Sequence, residues 1–355
     1  MKALVLSGGS GLRLRPFSHS MPKQLLPIAN KPVIDHVLEN IRDIGITDIG
    51  VVVGGQAPEI ITALGDGSRW GTRLTYLHQK KPLGLAHCLL QAREFLGDDD
   101  FVVYLGDNML LDGISDLASD FSADRPAAHV VLHKVSDPTT FGVAELGPDG
   151  EVSRLVEKPS YPRSNLALIG VYFFTPAIHE AVRAIGPSPR GELEITDAVQ
   201  WLLDRGIRVT ATEYTGYWKD VGRVEDVLEC NRRVLDGLSP AVAGEVDDMS
   251  VIRGPVVIEP GARITRSVIE GPVIVGASAV LTDSHVGPHV SIGRGCILRD
   301  ARLDGSMALD GAVITGVRGL HHSLIGRSAR VGPSGGVTQQ HRLVVGDHCQ
   351  VEVAV

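Results

Sequence analysis

Up to about Gly237 this chain alternates short, wholly apolar runs with stretches whose apolar residues recur at three- and four-residue spacing. Ala3-Leu4-Val5-Leu6, Ile49-Gly50-Val51-Val52-Val53 and Phe101-Val102-Val103-Tyr104-Leu105 are runs of the kind buried on both faces of a parallel sheet. Val33, Ile34, Val37, Leu38, Ile41 and Ile44 form one helical stripe that stops before Gly45. A second helix is expected from Leu85 to Phe95, with others over Glu194 to Arg205 and Val224 to Leu235. Further strands are expected at His129 to His133, Val143 to Leu146, Glu151 to Val156 and Ala167 to Phe174. The alternation predicts an α/β domain over residues 1–237, with a Rossmann-like, mostly parallel sheet covered on both faces.

Beyond Gly237 helical spacing disappears and glycine, small and β-branched residues dominate. Ile274, Val280, Val286, Ile292 and Leu298 recur every six residues, and glycine follows the aliphatic residue at Val275, Val286, Ile292, Ile325, Val331 and Val345. A six-residue period with a small residue at the corner predicts a hexapeptide parallel β-helix over residues 238–355. An ordinary sandwich would space its strands at about 8 to 12 residues. The pattern lapses between Leu303 and Leu324, around Gly305, Gly311 and His321-His322, where a loop or an irregular coil is expected. The open ends and flat faces of such a helix invite a homo-oligomer.

A net charge of −8 over 355 residues excludes a general nucleic-acid or anionic-membrane binder, which needs a basic surface. Cys88, Cys230, Cys296 and Cys349 are scattered, without the spacing of a zinc site or a disulfide framework. The first residues enter a strand at once and no apolar run reaches the ~18 residues of a membrane helix, so a cytoplasmic protein is expected.

Against that acidic background the basic cluster near the start is informative. The first strand, ending at Leu6, runs into Gly8-Gly9-Ser10-Gly11-Leu12-Arg13-Leu14-Arg15-Pro16 and then Pro22-Lys23-Gln24-Leu25. Glycines let backbone N–H groups approach anionic oxygens, and the basic residues add fixed charge, so the stretch reads as a phosphate-gripping loop wired unlike a Walker or dinucleotide loop. Leu105-Gly106-Asp107-Asn108 and Trp218-Lys219-Asp220-Val221-Gly222 each place a carboxylate at a strand end, the provision a magnesium ion bridging phosphates asks of a protein. Glu157-Lys158-Pro159 closes a strand with opposite charges, which serve either a cleft or a solvated loop. Gln79, Pro82 and Gly84 precede the Leu85 helix, where an amide beside a bare glycine could read a base edge. No histidine sits by a nucleophile elbow, so a hydrolytic triad has no support.

These motifs, with Phe141-Gly142-Val143 and Gly191-Glu192-Leu193-Glu194-Ile195-Thr196-Asp197, occur in one order. The set resembles the sugar-1-phosphate nucleotidyltransferases, and within them the long-form enzymes that transfer a thymidylyl group to glucose 1-phosphate and carry a left-handed β-helix behind the catalytic domain. The resemblance implies that Leu6, Gly8, Gly9 and Gly11 hold a nucleoside triphosphate, that Arg13 and Lys23 grip its reacting phosphates, and that Gln79, Pro82 and Gly84 meet the base. It implies Mg²⁺ on Asp107 and Asp220, with Asp107 also on the nucleotide side, and a sugar 1-phosphate on Asn108, Gly142, Glu157, Lys158, Val171 and Trp218. Arg13, Lys23, Asp107, Lys158 and Asp220 would carry the chemistry. Two positions depart from the family pattern: Leu12 stands where a threonine is usual, and Phe141 where a tyrosine is. The same chemistry with UTP, ATP or GTP, or with another sugar 1-phosphate, remains open. So does an acyltransfer site among His285, His289, His321 and His322 in the β-helix, and so does a non-catalytic subunit, against which the five retained residues speak.

Overall fold

The computed structural model describes residues 1–9, 11–334 and 342–354. The chain divides into two compact units, one made of Met1–Ser10 and Val33–Asp220, the other of Gly11–Pro32 and Val221–Val355. In chain order the strands before the repeats are β1 (Lys2–Leu6), β2 (Pro27–Ile28), β3 (Lys31–Pro32), β4 (Asp48–Val53), β5 (Arg73–His78), β6 (Phe101–Leu105), β7 (Asn108–Leu110), β8 (Ala128–Lys134), β9 (Gly142–Leu146), β10 (Val152–Glu157), β11 (Leu166–Phe174), β12 (Val209–Glu213) and β13 (Trp218–Asp220). The helices are α1 (Val33–Asp43), α2 (Ala57–Leu64), α3 (Leu85–Gln91), α4 (Arg93–Leu96), α5 (Ser115–Asp124), α6 (Ile178–Ala184), α7 (Ile195–Leu203) and α8 (Val224–Asp236). The helix expected from Leu85 to Phe95 is thus two short ones, meeting at Ala92.

The first unit is built on a nine-stranded mixed sheet whose main path is β10-β9-β11-β6-β1-β4-β5, with β8 on β11 and β12 on β8. β1 pairs in parallel with both β4 and β6, and β4 with β5, so four strands end on one edge. The apolar runs of β1, β4 and β6 are buried on both faces, as parallel strands under helices require, while β5 at the sheet edge is only partly covered. β11 runs antiparallel to β6, β8 and β9. Its register breaks between Leu168 and Tyr172, where Gly170 takes φ +75°. A Cβ there would meet Leu105 Cδ1 at 2.8 Å and the Asn108 side chain at 3.2 Å, so a larger residue is barred on both counts. α7 packs on the sheet through Ile195, Ala198, Val199 and Leu202, joined to the main core with Phe101, Val103 and Phe174.

In the second unit, three parallel sheets of seven, seven and five strands wind the chain from Ala241 onward into a left-handed β-helix. The period corrects the six-residue reading. Val273 pairs with Val290, Val280 with Ile297 and Val268 with His285, so a full coil takes seventeen residues, one side being a residue shorter than the other two. A fixed count of six therefore slides off the inward positions. Val275 and Leu281 fill the core, whereas Val280 is half-buried and Ile274 lies outside the coil core. No loop interrupts the coils between Leu303 and Leu324, and the irregularity expected there is one of register. Strands continue at Arg302–Asp304, Met307–Ala308, Val313–Thr315, Arg318–His321 and Leu324–Ile325. There Ser291 pairs with Met307, sixteen residues on, and a bulge in the pairing of Arg302 and Leu303 with Arg318 and Leu320 restores the phase. His321 and His322 lie ring edge to ring face on this coil. Among the described residues no helix is long and apolar enough to cross a membrane.

Candidate active site

In the first unit the predicted residues gather where β1, β5 and β6 end, the edge at which open α/β sheets bind ligands. Past β1, the Ser7 amide bonds the Val52 carbonyl and Gly8 and Gly9 follow; past β5, the Gln79 amide bonds the Val53 carbonyl. The Gln79 side chain reaches back toward β1, and its Oε1 lies 3.2 Å from where a Cβ on Gly8 would stand. Its Nε2 lies 3.2 Å from His87 Nδ1 and donates at 3.2 Å to Cys88 Sγ, so the amide is held with its oxygen toward the glycine loop. Burial pushes the Cys88 thiol up to about 12, which keeps it a neutral partner. Leu6 is buried, its carbonyl taken by the Gly106 amide.

Gly106 leads directly into Asp107 and Asn108. β7 and β13 pair antiparallel with Asn108 opposite Asp220, so the two strand-end aspartates, 113 residues apart in sequence, come one register position apart. Asn108, only 3% exposed, links the group: its Nδ2 donates to Asp107 Oδ1 at 3.0 Å and its Oδ1 accepts from Trp218 Nε1 at 2.8 Å. Phe141 meets the Trp218 ring edge-on at 5.5 Å, and His133 lies at the same distance on a tilt. Phe141 thus contributes to this group through its ring.

A second cluster surrounds the end of β10. Glu157 Oε2 accepts from Thr196 Oγ1 at 2.8 Å, and Oε1 from Arg190 Nη1 at 3.2 Å. Lys158 Nζ stands 3.7 Å from the same carboxylate, and Lys158 itself takes φ +41° with its amide on the Phe141 carbonyl. Arg190 also donates to Glu194 Oε1 at 3.1 Å. Burial pushes the Glu194 carboxyl above its ordinary range, while the Ser188 hydroxyl and Arg190 oppose that rise. Gly142 is close-packed here: a Cβ would fall 2.6 Å from Thr196 Cγ2 and 3.2 Å from Glu157 Oε2.

The nucleotidyl transferase family model matches residues 2–237. The chain is 52% identical over 354 residues, all of both chains, to the glucose-1-phosphate thymidylyltransferase of Streptomyces griseus, and 53% identical, over 99% of both chains, to that of Streptomyces antibioticus. The chain belongs to the nucleotidyl transferase family. A solved structure from Bacillus anthracis, assigned to glucose-1-phosphate thymidylyltransferase and carrying sucrose, is 36% identical with a TM-score of 0.61, covering 65% of this chain and 94% of that one.

Within this nucleotidyl transferase the expected residues divide unevenly. Gly8, Gln79, Asp107, Asn108, Trp218 and Asp220 share the strand-end edge, and Gly142, Glu157 and Lys158 form the second cluster. Gly11, Arg13 and Lys23 belong to the other unit, where Gly11 at φ +57° starts the turn that holds the exposed Arg13, and the half-buried Lys23 opens a separate turn after Pro22. Ser10 lies outside the described residues. Pro82 is exposed, and Val171 is fully buried in β11 opposite Tyr104. Gly84 has a packing reason of its own. At φ +105° a Cβ would stand 2.3 Å from the Leu193 carbonyl oxygen, on a chain crossing fixed by the Leu193 amide to Leu83 and the Ala86 amide to Leu193. Arg190, Thr196, Gly170 and Cys88 were not singled out by sequence reasoning, although Thr196 lay inside a quoted motif.

Proposed function

We propose that this nucleotidyl transferase joins dTTP to glucose 1-phosphate, giving dTDP-glucose and pyrophosphate. The observation that carries the reading is identity of 52% and 53%, over essentially all of both chains, to two enzymes named for thymidylyl transfer to glucose 1-phosphate. The nucleophile is already an anionic phosphate oxygen, so no general base is needed; the barrier lies in bringing two polyanions into line. The sugar-phosphate oxygen forms a bond to the α-phosphorus while the bond from that phosphorus to the bridging oxygen breaks, and pyrophosphate leaves with the electron pair.

In this reading Leu6, Gly8, Gly9 and Gly11 present main chain to the triphosphate, Arg13 and Lys23 neutralise its phosphates, and Lys158 meets the phosphate of the sugar. Gln79, with Pro82 and Gly84 beside it, faces the base; its oriented Oε1 suits the N3–H of thymine and is wrong for cytosine, which has none. Asn108, Gly142, Glu157, Val171 and Trp218 hold the sugar. Asp107 and Asp220 fit Mg²⁺ by donor chemistry: both offer hard oxygens, and among the described residues no cluster of three or more metal-binding side chains competes. When bound, that ion neutralises phosphate charge at the reacting centre.

Residues 1–237 would form the catalytic domain and 238–355 the β-helix that assembles a homo-oligomer, working in the cytoplasm where its substrates are made. Light scattering is expected to return a multiple of the 37.8 kDa chain mass; the mass of one chain removes the assembly role. A steady-state panel of dTTP, UTP, ATP and GTP against several sugar 1-phosphates tests the reaction. Highest kcat/KM with dTTP and glucose 1-phosphate is expected, and a strong preference for ATP or GTP overturns it.

A further inference from the structure

The segment Gly11–Pro32 carries Arg13 and Lys23, yet within its unit it is fastened to the β-helix at both ends. Near its end, β2 and β3 form a hairpin whose tip residues Ala29 and Asn30 take φ +48° and +63°. The Ala29 amide donates to Asn231 Oδ1 of α8 at 2.9 Å, Ser291 Oγ of the β-helix donates to the same oxygen at 2.7 Å, and Asn30 Nδ2 donates to the Ile292 carbonyl at 2.8 Å. Asn231 is 1% exposed, so this is a buried junction with its polar groups engaged.

The other fastening lies on the last coil, more than three hundred residues away in sequence. The Asp347 side chain is 1% exposed and accepts from the Arg327 amide at 2.7 Å, Arg327 Nε at 2.8 Å and Ser20 Oγ at 2.8 Å. Arg327 Nη2 in turn donates to the Ser20 carbonyl at 2.9 Å. Beside them, a Cβ on Gly346 would stand 3.1 Å from Cβ and Cγ of Pro16. One buried carboxylate and its arginine therefore grip both side chain and main chain of Ser20, while a glycine makes room for Pro16. Two coils earlier, Asp310 shows what a carboxylate does when it staples neighbouring coils: its Oδ1 accepts from the Arg294 amide at 2.9 Å. Asp347 performs that same amide contact and adds the loop.

We infer that the β-helix is a positioning device for the phosphate loop, with Asp347 the positioning residue that, through Arg327 and Ser20, holds the turn between Arg13 and Lys23. The inference rests on the proposed role of that loop in gripping the triphosphate. Lys23 lies between the two fastenings and Arg13 just before the first, each on a short turn, so their placement depends on how firmly the segment is held. A misplacement on the order of 1 Å can cost a hundredfold in rate, so the coil that carries Asp347 becomes a determinant of turnover.

The test uses full-length variants: Asp347→Ala, Gly346→Ala, which adds a methyl group against Pro16, and Ser20→Ala, which deletes one hydrogen bond at an exposed position. Asp310→Ala is the matched control and Asp347→Asn the conservative rescue. Initial rates with each substrate varied are expected to show kcat/KM for the triphosphate falling about tenfold or more in Asp347→Ala and Gly346→Ala, and less in Ser20→Ala. KM for the sugar phosphate should stay within twofold throughout, Asp310→Ala should match the parent, and Asp347→Asn should recover most of the loss. If Asp347→Ala does not fold, Gly346→Ala and Ser20→Ala decide. Arg13→Ala in the same assay separates the two readings. If Arg13→Ala is damaging while the coil variants keep parental triphosphate kinetics, the anchoring is wrong and the loop assignment stands. If Arg13→Ala itself leaves triphosphate kinetics unchanged, the loop assignment fails and takes the anchoring with it. An equal loss in Asp310→Ala and Asp347→Ala also overturns the inference, because coil stability alone then explains both.

Discussion

The Glu157 carboxylate is held by Thr196 and Arg190 at once, so its direction is set before a ligand arrives. Removing the arginine leaves Glu157 and the buried Glu194 side by side without the cation between them, and like charges in that setting favour a proton on one of them. Arg190→Ala is therefore expected to raise KM for the sugar phosphate about tenfold, the scale of one lost charge-assisted contact of ~1.4 kcal/mol, with KM for the triphosphate unchanged. Asp107→Asn and Asp220→Asn should behave differently, each lowering kcat at least about a hundredfold even at saturating Mg²⁺; near-normal turnover in both would remove them from the metal-binding role. The pairing of those aspartates was legible as two strand-end carboxylates, because each sits in its own short motif. Arg190 was not. It lies 33 residues from Glu157 in a stretch with no periodicity, and only the fold makes the two neighbours. Leu12, the departure that stood out in the sequence, is 58% exposed and has no structural consequence in the loop's packing.

At the level of elements, the parallel strands and the amphipathic helices α1, α7 and α8 were readable because burial on two faces or on one stripe leaves a mark in composition. The β-helix was readable in kind and not in count. Its seventeen-residue coil is masked by aliphatic residues that happen to fall six apart, but a second signal carries the true period. Ser250, Ser267 and Ser284 stand seventeen apart, and each serine hydroxyl accepts the backbone amide of its counterpart or neighbour on the next coil. The corner residues Arg266, Asp283 and Asp300, all at positive φ, repeat at the same interval. Gly84 makes the opposite point, since its glycine looked like room for a base and is demanded by the crossing chain at Leu193. Gly84→Ala is expected to lower the urea midpoint, by more than about 1 kcal/mol in stability, because a positive φ and a backbone clash act together. A variant of parental stability that bound the triphosphate poorly would return Gly84 to the nucleotide site instead.

For the molecule as a whole, acid stability sets two electrostatic effects against each other. The chain carries a net charge of −8 with its 13 histidines neutral, so protonating exposed histidines as the pH falls reduces self-repulsion and favours the folded state. That effect is spread over the surface and screened at physiological salt. His179 opposes it. The ring stacks on Phe101 at 5.6 Å, is 5% exposed, and among the described residues its Nε2 has no hydrogen-bond partner, so burial together with Arg93 and Arg183 pushes its pKa down to about 4. His129 is shifted the same way, first by burial. Above about pH 6.5 the imidazole is neutral in both folded and unfolded chains and costs nothing. Below that, the unfolded chain takes up the proton that the folded chain refuses, so stability is lost progressively as the pH falls from 6.5 toward 4, by at most about 3.5 kcal/mol for His179 at 1.4 kcal/mol per pKa unit. The local term outweighs the screened surface term, and the urea midpoint of the unit containing His179 is expected to fall between pH 7 and pH 5. His179→Phe keeps the stack and removes the proton site, so its midpoint should change less over that range than the parent's, at low and at 0.5 M salt alike. An identical slope in parent and variant would show that acid sensitivity arises from carboxylates elsewhere.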